Sequence, residues 1–174
     1  MIYLVRHGET DFNRFSISQG QTDTSLNKTG LKQAEVLSKK LKNYHFDVVF
    51  CSTLTRATQT CDYIMKYHKC PVFYDARLME VCKGTLEKNK NPHSVYVEFF
   101  ADPHKFGGES EEDVFKRIKS FLKDLKKHKN KDILIVSHGG VYKYIKHCLE
   151  KKDPKKDPLE KIDMDNCQII ELEF

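Results

Sequence analysis

The sequence predicts an α/β fold. The expected form is a three-layer α/β/α sandwich around a mostly parallel central sheet, with the last strand an antiparallel edge and a short lid insertion at about 83–107. Three observations predict it. Short apolar runs alternate with amphipathic stretches along the chain, the pattern of successive strand–helix units. Some runs, such as Val48-Val49-Phe50-Cys51, are apolar at every position, as strands covered on both faces are. Polar clusters follow three of the runs, at the strand ends where parallel sheets place their sites. The 174 residues fit one domain spanning 1–174.

The elements follow in order. Ile2–Val5 is the first strand. Leu31, Ala34, Leu37 and Leu41 recur at steps of three and four, which makes Lys28–Lys42 an amphipathic helix. Val48–Cys51 is the second strand. Leu54, Ala57, Cys61, Ile64 and Met65 mark the next helix, and Val72–Tyr74 follows Pro71 as a third strand. From Cys82 to Gly107 the periodicity weakens among Gly84, Pro92, Pro103 and Gly107, so an irregular insertion with one short helix is expected. Ser110 caps the next helix, whose first turn carries the carboxylates favoured by the helix dipole. Its buried stripe is Val114, Ile118, Phe121, Leu122 and Leu125. Ile133–Val136 is the strongest strand, followed by a helix through Val141, Tyr144, Ile145, Cys148 and Leu149. Pro154 and Pro158 break the chain before a last strand at Cys167–Leu172.

Composition excludes several classes. Hydrophobic residues are 39% and charged residues 32%, and no apolar run approaches the roughly 20 residues of a membrane span. Met1–Val5 is too short for the core of a secretory signal, so the chain is expected in the cytoplasm. None of the six cysteines forms a C-x-x-C pair, which leaves zinc and redox motifs unsupported and free thiols expected. The net charge is +5, with lysines clustered in KKHKNK (126–131) and KKDPKK (151–156). These runs read as a solvated helix end and a polar loop, with no nucleic-acid signature beside them. A general positive field still attracts phosphorylated small molecules.

The polar clusters are Arg6-His7-Gly8, Ser52-Thr53-Leu54-Thr55-Arg56 and Ser137-His138-Gly139-Gly140. A single histidine after a strand is most simply a turn residue. Two His-Gly pairs after separate strands, with Arg6 and Arg56 besides, converge at one sheet edge if the strands are parallel neighbours. Arginine's planar fork binds phosphate through charge-assisted hydrogen bonds. Backbone N–H groups opening the helix after His138 add anion donors. The combination is a phosphate pocket with an imidazole inside it.

These residues, in this order, resemble the histidine phosphatase superfamily, also called the phosphoglycerate mutase-like family. The signature is Leu4-Val5-Arg6-His7-Gly8-Glu9-Thr10 with Asn13, then Gln19-Gly20, Asp23 and Leu26. It continues in Gly30, Gln33-Ala34 and Ser52-x-Leu54-x-Arg56-Ala57-x-Gln59-Thr60. Leu78-x-Glu80, Gly84, Glu87, Gly108-Glu109-Ser110, Val136-Ser137-His138-Gly139-Gly140 and Asn166 complete it.

The resemblance implies roles. His7 is the nucleophile that takes the phosphoryl group. Arg6, Arg56 and His138 surround the phosphate. Glu80 is general acid for the leaving oxygen and then base for water. Thr10, Asn13, Gln19, Gly20 and the Gly139 amide are secondary substrate contacts. No metal and no cofactor are implied. Neutral His7 and cationic His138 would suit the chemistry. The chain departs from the family pattern at Ile17, Thr53, Cys82, Lys83, Leu86 and Lys88, and the last four fall where relatives line the pocket mouth.

Glu80 and His138 stand close enough in sequence that only a short lid fits between them. An open site favours hydrolysis over the water-excluding task of a mutase. The expected function is a metal-independent phosphomonoesterase acting on a small phosphorylated metabolite through phosphohistidine. A phosphoglycerate mutase is the alternative, and an idle phosphate-binding module or a polyanion binder are further ones. The expected partner is the small substrate, without nucleic acid or membrane, for a monomer or homodimer. Lys83, Lys88, Lys90, His93, His104 and Lys105 in the lid region could meet a second acidic group on the substrate or form a solvated loop.

Overall fold

The computed structural model describes all residues except 155, 158, 160–163 and 174. Five strands form one sheet: β1 (Ile2–Arg6), β2 (Val48–Cys51), β3 (Val72–Tyr74), β4 (Ile133–Ser137) and β5 (Ile169–Leu172). Their spatial order is β3-β2-β4-β1-β5. The pairs β3–β2, β2–β4 and β4–β1 are parallel, and β5 runs antiparallel to β1 at the edge. The helices are α1 (Asp11–Arg14), α2 (Lys28–Leu41), α3 (Thr55–Met65), α4 (His93–Ala101), α5 (Glu111–Leu125) and α6 (Gly139–Leu149).

The central strand β4 is buried at every position, and its side chains alternate between two cores. Ile133 and Ile135 pack with Val114, Ile118, Phe121 and Leu125 of α5 and with Val141 and Ile145 of α6. Leu134 and Val136 pack with Leu37 and Leu41 of α2 and with Ala57, Cys61 and Ile64 of α3. The period-two pleat therefore feeds both helical layers from one strand, giving the three-layer sandwich.

The predicted elements are present with small boundary changes. Asn27 caps α2 by accepting from Gly30 N at 2.8 Å. Ser110 caps α5 in a reciprocal capping box with Asp113. The lysine-rich end of α5 continues as a short helical turn at Lys126–His128. Two departures have local causes. Helix α1 has no apolar periodicity; the capping box between Thr10 and Asn13 nucleates it. The last strand begins at Ile169, because Cys167 sits in a left-handed turn with φ 57°. That turn has a purpose: Cys167 N donates to Arg6 O (3.1 Å) and Asn166 Nδ2 to His7 O (2.9 Å). The expected break at Pro158 lies outside the described residues.

Segment 84–106 holds α4 between two short helical turns, Gly84–Leu86 and Pro103–Phe106. Close approach without a Cβ matters under the first loop: a Cβ on Gly30 would lie 2.0 Å from Glu9 O. Glycine thus lets the start of α2 press against the chain leaving β1. Among the described residues no helix is long and apolar enough to cross a membrane.

Candidate active site

Parallel pairing of β2, β4 and β1 as neighbours brings the three polar clusters to one edge of the sheet. A cavity of about 360 Å³ opens there, lined by Arg6, His7, Asn13, Gln19, Gly20, Glu80 and Gly140 among others. A second groove of about 350 Å³ between α2 and the turn before β5 is mostly apolar and lacks this chemistry.

His7 is 2% exposed. Its Nδ1 lies 2.7 Å from Gly8 O, and a carbonyl can only accept, so Nδ1 carries the hydrogen and Nε2 the lone pair. Arg56 Nε donates to that Nε2 at 3.3 Å. The rest of the Arg56 guanidinium is spent on Gly20 O (2.8 Å) and Thr22 O (2.9 Å). Arg56 has no exposed surface; burial pulls its pKa down to about 10, offset in part by Glu80, Asp23 and Glu87. It remains a cation at neutral pH.

The His138 ring centroid lies 5.0 Å from that of His7. Its Nε2 meets Ser52 Oγ at 2.8 Å, while its buried Nδ1 has no partner among the described residues. The Nε nitrogen of Arg6 is likewise buried and unpartnered, although Nη1 donates to Met164 O. Ser18 Oγ at the cavity wall is a third such group. Unsatisfied buried polar atoms are costly, and two of them, Arg6 Nε and Ser18 Oγ, belong to residues that line the cavity, where a polar ligand would complete them.

Glu80 sits in a fixed pose. Its carboxylate accepts from Val81 N (2.9 Å) and Gly140 N (3.1 Å). The N-terminal end of α6 therefore already holds a carboxyl oxygen of Glu80. Gly139 packs against Arg6, where a Cβ would lie 3.4 Å from Nε.

The predicted site residues separate into groups. Arg6, His7, Asn13, Gln19, Gly20 and Glu80 line the cavity, with Arg56 and His138 buried directly behind them. Thr10 does not line it: fully buried, it caps α1, accepts from Asn13 N at 3.2 Å and lies 2.7 Å from Gln19 Oε1. Of the basic lid residues only Lys83 reaches the cavity, and His104 instead pairs with Asp113 at 2.6 Å. Lys143, Tyr144, Tyr96 and Phe100 were not singled out for the site, yet they line it. Lys143 follows Gly139 by one helical turn, a spacing that could have pointed to it.

Without phosphate, burial opposes the cationic state expected of His138. Both histidines are pushed well below the ordinary value of 6.5. For His7 the first cause is burial and the second is Arg56, opposed by the bond to Gly8 O. For His138 burial again leads, followed by His7 and Arg56. Both rings are neutral in the unliganded protein. The unfolded chain then binds more protons below pH 6.5, so this stability is fully present above that pH and is lost as pH falls towards the depressed values. Each ring can contribute up to about 1.4 kcal/mol per pH unit to the slope. Urea midpoints should fall between pH 7 and pH 5, and His138→Gln should flatten the decline. An unchanged slope in that variant would show that His138 is not buried neutral.

Comparison with known proteins places this geometry. A profile of the histidine phosphatase superfamily (branch 1) matches residues 2–174. Phosphoserine phosphatase 1 of Hydrogenobacter thermophilus is 33% identical over 150 residues, covering 79% of this chain and 70% of that protein. The metal-independent phosphoserine phosphatase of Arabidopsis thaliana is 35% identical over 158 residues, covering 83% and 66%. Among solved structures, phosphoserine phosphatase from Entamoeba histolytica in complex with 3-phosphoglyceric acid is similar with a TM-score of 0.80. It is 30% identical, and the match covers 97% of this chain and 87% of that one.

Proposed function

The chain belongs to the histidine phosphatase superfamily, and from that premise we propose that it hydrolyses a small phosphomonoester through a phosphohistidine on His7, without a metal. One observation carries the reading: the Nδ1 hydrogen of His7 is committed to Gly8 O, which leaves the lone pair on Nε2, in a cavity also lined by Arg6, whose buried Nε–H lacks a partner among the described residues.

The first half-reaction forms the Nε2–phosphorus bond as the bond from phosphorus to the leaving oxygen breaks. A protonated Glu80 gives its proton to that oxygen. In the second, Glu80 takes a proton from water, the water oxygen bonds to phosphorus, and the Nε2–phosphorus bond breaks to release phosphate. Throughout, Nδ1–H stays on Gly8 O and disperses the charge of the imidazolium. The phosphate oxygens supply acceptors for Arg6 Nε and, once His7 Nε2 bonds phosphorus, for Arg56 Nε. If the Ser52 hydroxyl donates to His138 Nε2, the hydrogen lies on Nδ1 and makes a further donor. These cations and dipoles provide the charge neutralisation that phosphoryl transfer requires. The phosphate dianion also raises the proton affinity of His138, so ligand binding supplies the charge that burial withholds.

The segment at 83–107 acts as the lid, within one domain spanning 1–174. Its wall of Tyr96, Phe99 and Phe100 leaves a mouth where Phe100 is 69% exposed, which favours water over retention of an intermediate. Gln19 uses its oxygen on Thr10 and Thr24, so its amide nitrogen is the end offered to substrate, together with Asn13. Lys83 and Lys143 stand 5.3 Å from the ring centroids of Tyr96 and Tyr144. Their charge suits an acidic group on the leaving alcohol, consistent with relatives that are phosphoserine phosphatases. The proposed setting is a reducing cytoplasm, where the six cysteines would stay free, and the protein acts there as a monomer or homodimer.

The test is a panel of phosphate monoesters that includes phosphoserine and 3-phosphoglycerate, assayed in EDTA. Free phosphate should appear at an undiminished rate. Loss of activity on chelation would refute the metal-free mechanism, and conversion of 3-phosphoglycerate to its 2-isomer would replace hydrolysis with phosphoryl migration.

A further inference from the structure

The stretch that carries Glu80 has no regular secondary structure from Met79 to Lys83. Its position depends on what grips it. Arg117, on α5, forks onto the Glu109 carboxylate with Nε–Oε1 at 2.7 Å and Nη2–Oε2 at 3.1 Å. The side chains are only 14% and 20% exposed. The same guanidinium donates to Arg77 O at 2.5 Å and to Glu80 O at 3.2 Å. Glu109 holds Cys82 at both of its peptide groups: Oε2 accepts from Cys82 N (2.8 Å), and Glu109 N donates to Cys82 O (2.9 Å). Gln21 Nε2 is a second donor to Glu80 O, at 3.0 Å.

The main chain is thus pinned at the carbonyl of Glu80 and again two residues later. Between those pins the Glu80 carboxylate is fixed by Val81 N and Gly140 N. Helix α5 does not need the ion pair to stay in place, because Val114, Ile118, Phe121 and Leu125 already bury its apolar stripe. A largely buried ion pair is also a poor stabiliser, since desolvation offsets its attraction. Its geometry, however, is demanding, because a forked guanidinium fixes distance and plane together.

We infer that Glu109 and Arg117 are positioning residues for Glu80, setting where its carboxyl meets the leaving oxygen. This rests on the reading of Glu80 as general acid. A general acid matters most when the leaving group is a poor alkoxide and little when it is a stable phenolate. Displacing Glu80 should therefore be visible in one class of ester and hidden in the other. A role confined to stability would weaken both alike.

The experiment compares kcat/KM for an alkyl phosphate and for p-nitrophenyl phosphate in the full chain. This constant reports only the steps through transfer to His7, so a slow second half-reaction does not disguise the contrast. Arg117→Met should lose roughly 100-fold on the alkyl ester, the scale of a small misplacement, and less than about threefold on p-nitrophenyl phosphate. Glu80→Gln should show the same contrast. Arg117→Lys keeps the charge but loses the fork and carries the test in the same direction if the methionine variant does not fold. Equal losses on both esters, or none on either, would overturn the positioning role. Absence of the contrast in Glu80→Gln itself would overturn the reading of Glu80 as acid, and the role of the pair with it.

Discussion

His7→Ala is expected to lower kcat/KM on the order of 10⁴-fold or more, because the covalent route disappears with its nucleophile. The prediction follows from the tautomer. Gly8 O holds the hydrogen on Nδ1, so the one ring nitrogen directed to the phosphate region is an unprotonated Nε2. Burial and the neighbouring Arg56 keep that ring neutral, which keeps its lone pair available near neutral pH. Rapid quenching with a ³²P-labelled monoester should trap an acid-labile, alkali-stable label on the wild-type protein and none on the variant. A variant that still acquires the label, or that turns over within about tenfold of wild type, would assign the phosphoryl acceptor elsewhere.

Arg56→Met should produce the second largest effect, a loss on the order of 10³-fold in kcat/KM, comparable to removing an electrostatic donor from a developing negative charge. Among the described residues the guanidinium hydrogen-bonds two carbonyls and the His7 imidazole, while the Glu80, Asp23 and Glu87 carboxylates act on it from farther away. A phosphate oxygen would give this buried cation a direct anionic partner. Inorganic phosphate at about 100 times its Kd should stabilise the wild-type protein by about 2.7 kcal/mol, read as a rise in melting temperature. Arg56→Met should erase most of that rise. An undiminished shift would mean that phosphate binds without this residue. The variant also leaves Gly20 O and Thr22 O without their donor, so its unliganded melting temperature should fall as well.

Much of this site was legible because it is built from local patterns. The apolar runs at Ile2–Val5, Val48–Cys51 and Ile133–Val136 announced three strands, and each is followed at once by its polar cluster. Caps were legible too: Ser110 before three carboxylates does what its position implies. Other placements were not legible, for a physical reason. Thr10 lies in the signature stretch, yet its hydroxyl satisfies the start of α1. Nothing in the sequence separates a capping hydroxyl from a ligand-binding one, because both roles use the same oxygen. Lys143 was overlooked because a lysine on a helix is usually solvated, and only the packing of α6 beside Glu80 turns it to the cavity. Glu109 and Arg117 stand eight positions apart on and beside one helix, and their shared grip on Glu80 O and Cys82 is a tertiary fact.

What the sequence by itself determined is the set of candidate groups: two histidines and two arginines at the ends of elements whose period is written in their neighbours, and one carboxylate, Glu80, that only the family resemblance singles out. The tertiary structure alone decided how those groups meet. The order β3-β2-β4-β1-β5 makes three distant strand ends adjacent, and strand pairing is a choice among long-range partners that no local period encodes. Burial then decided the protonation of His7 and His138. A charge is destabilised by the low-dielectric volume around it, and that volume exists only once the two helical layers have closed over the sheet.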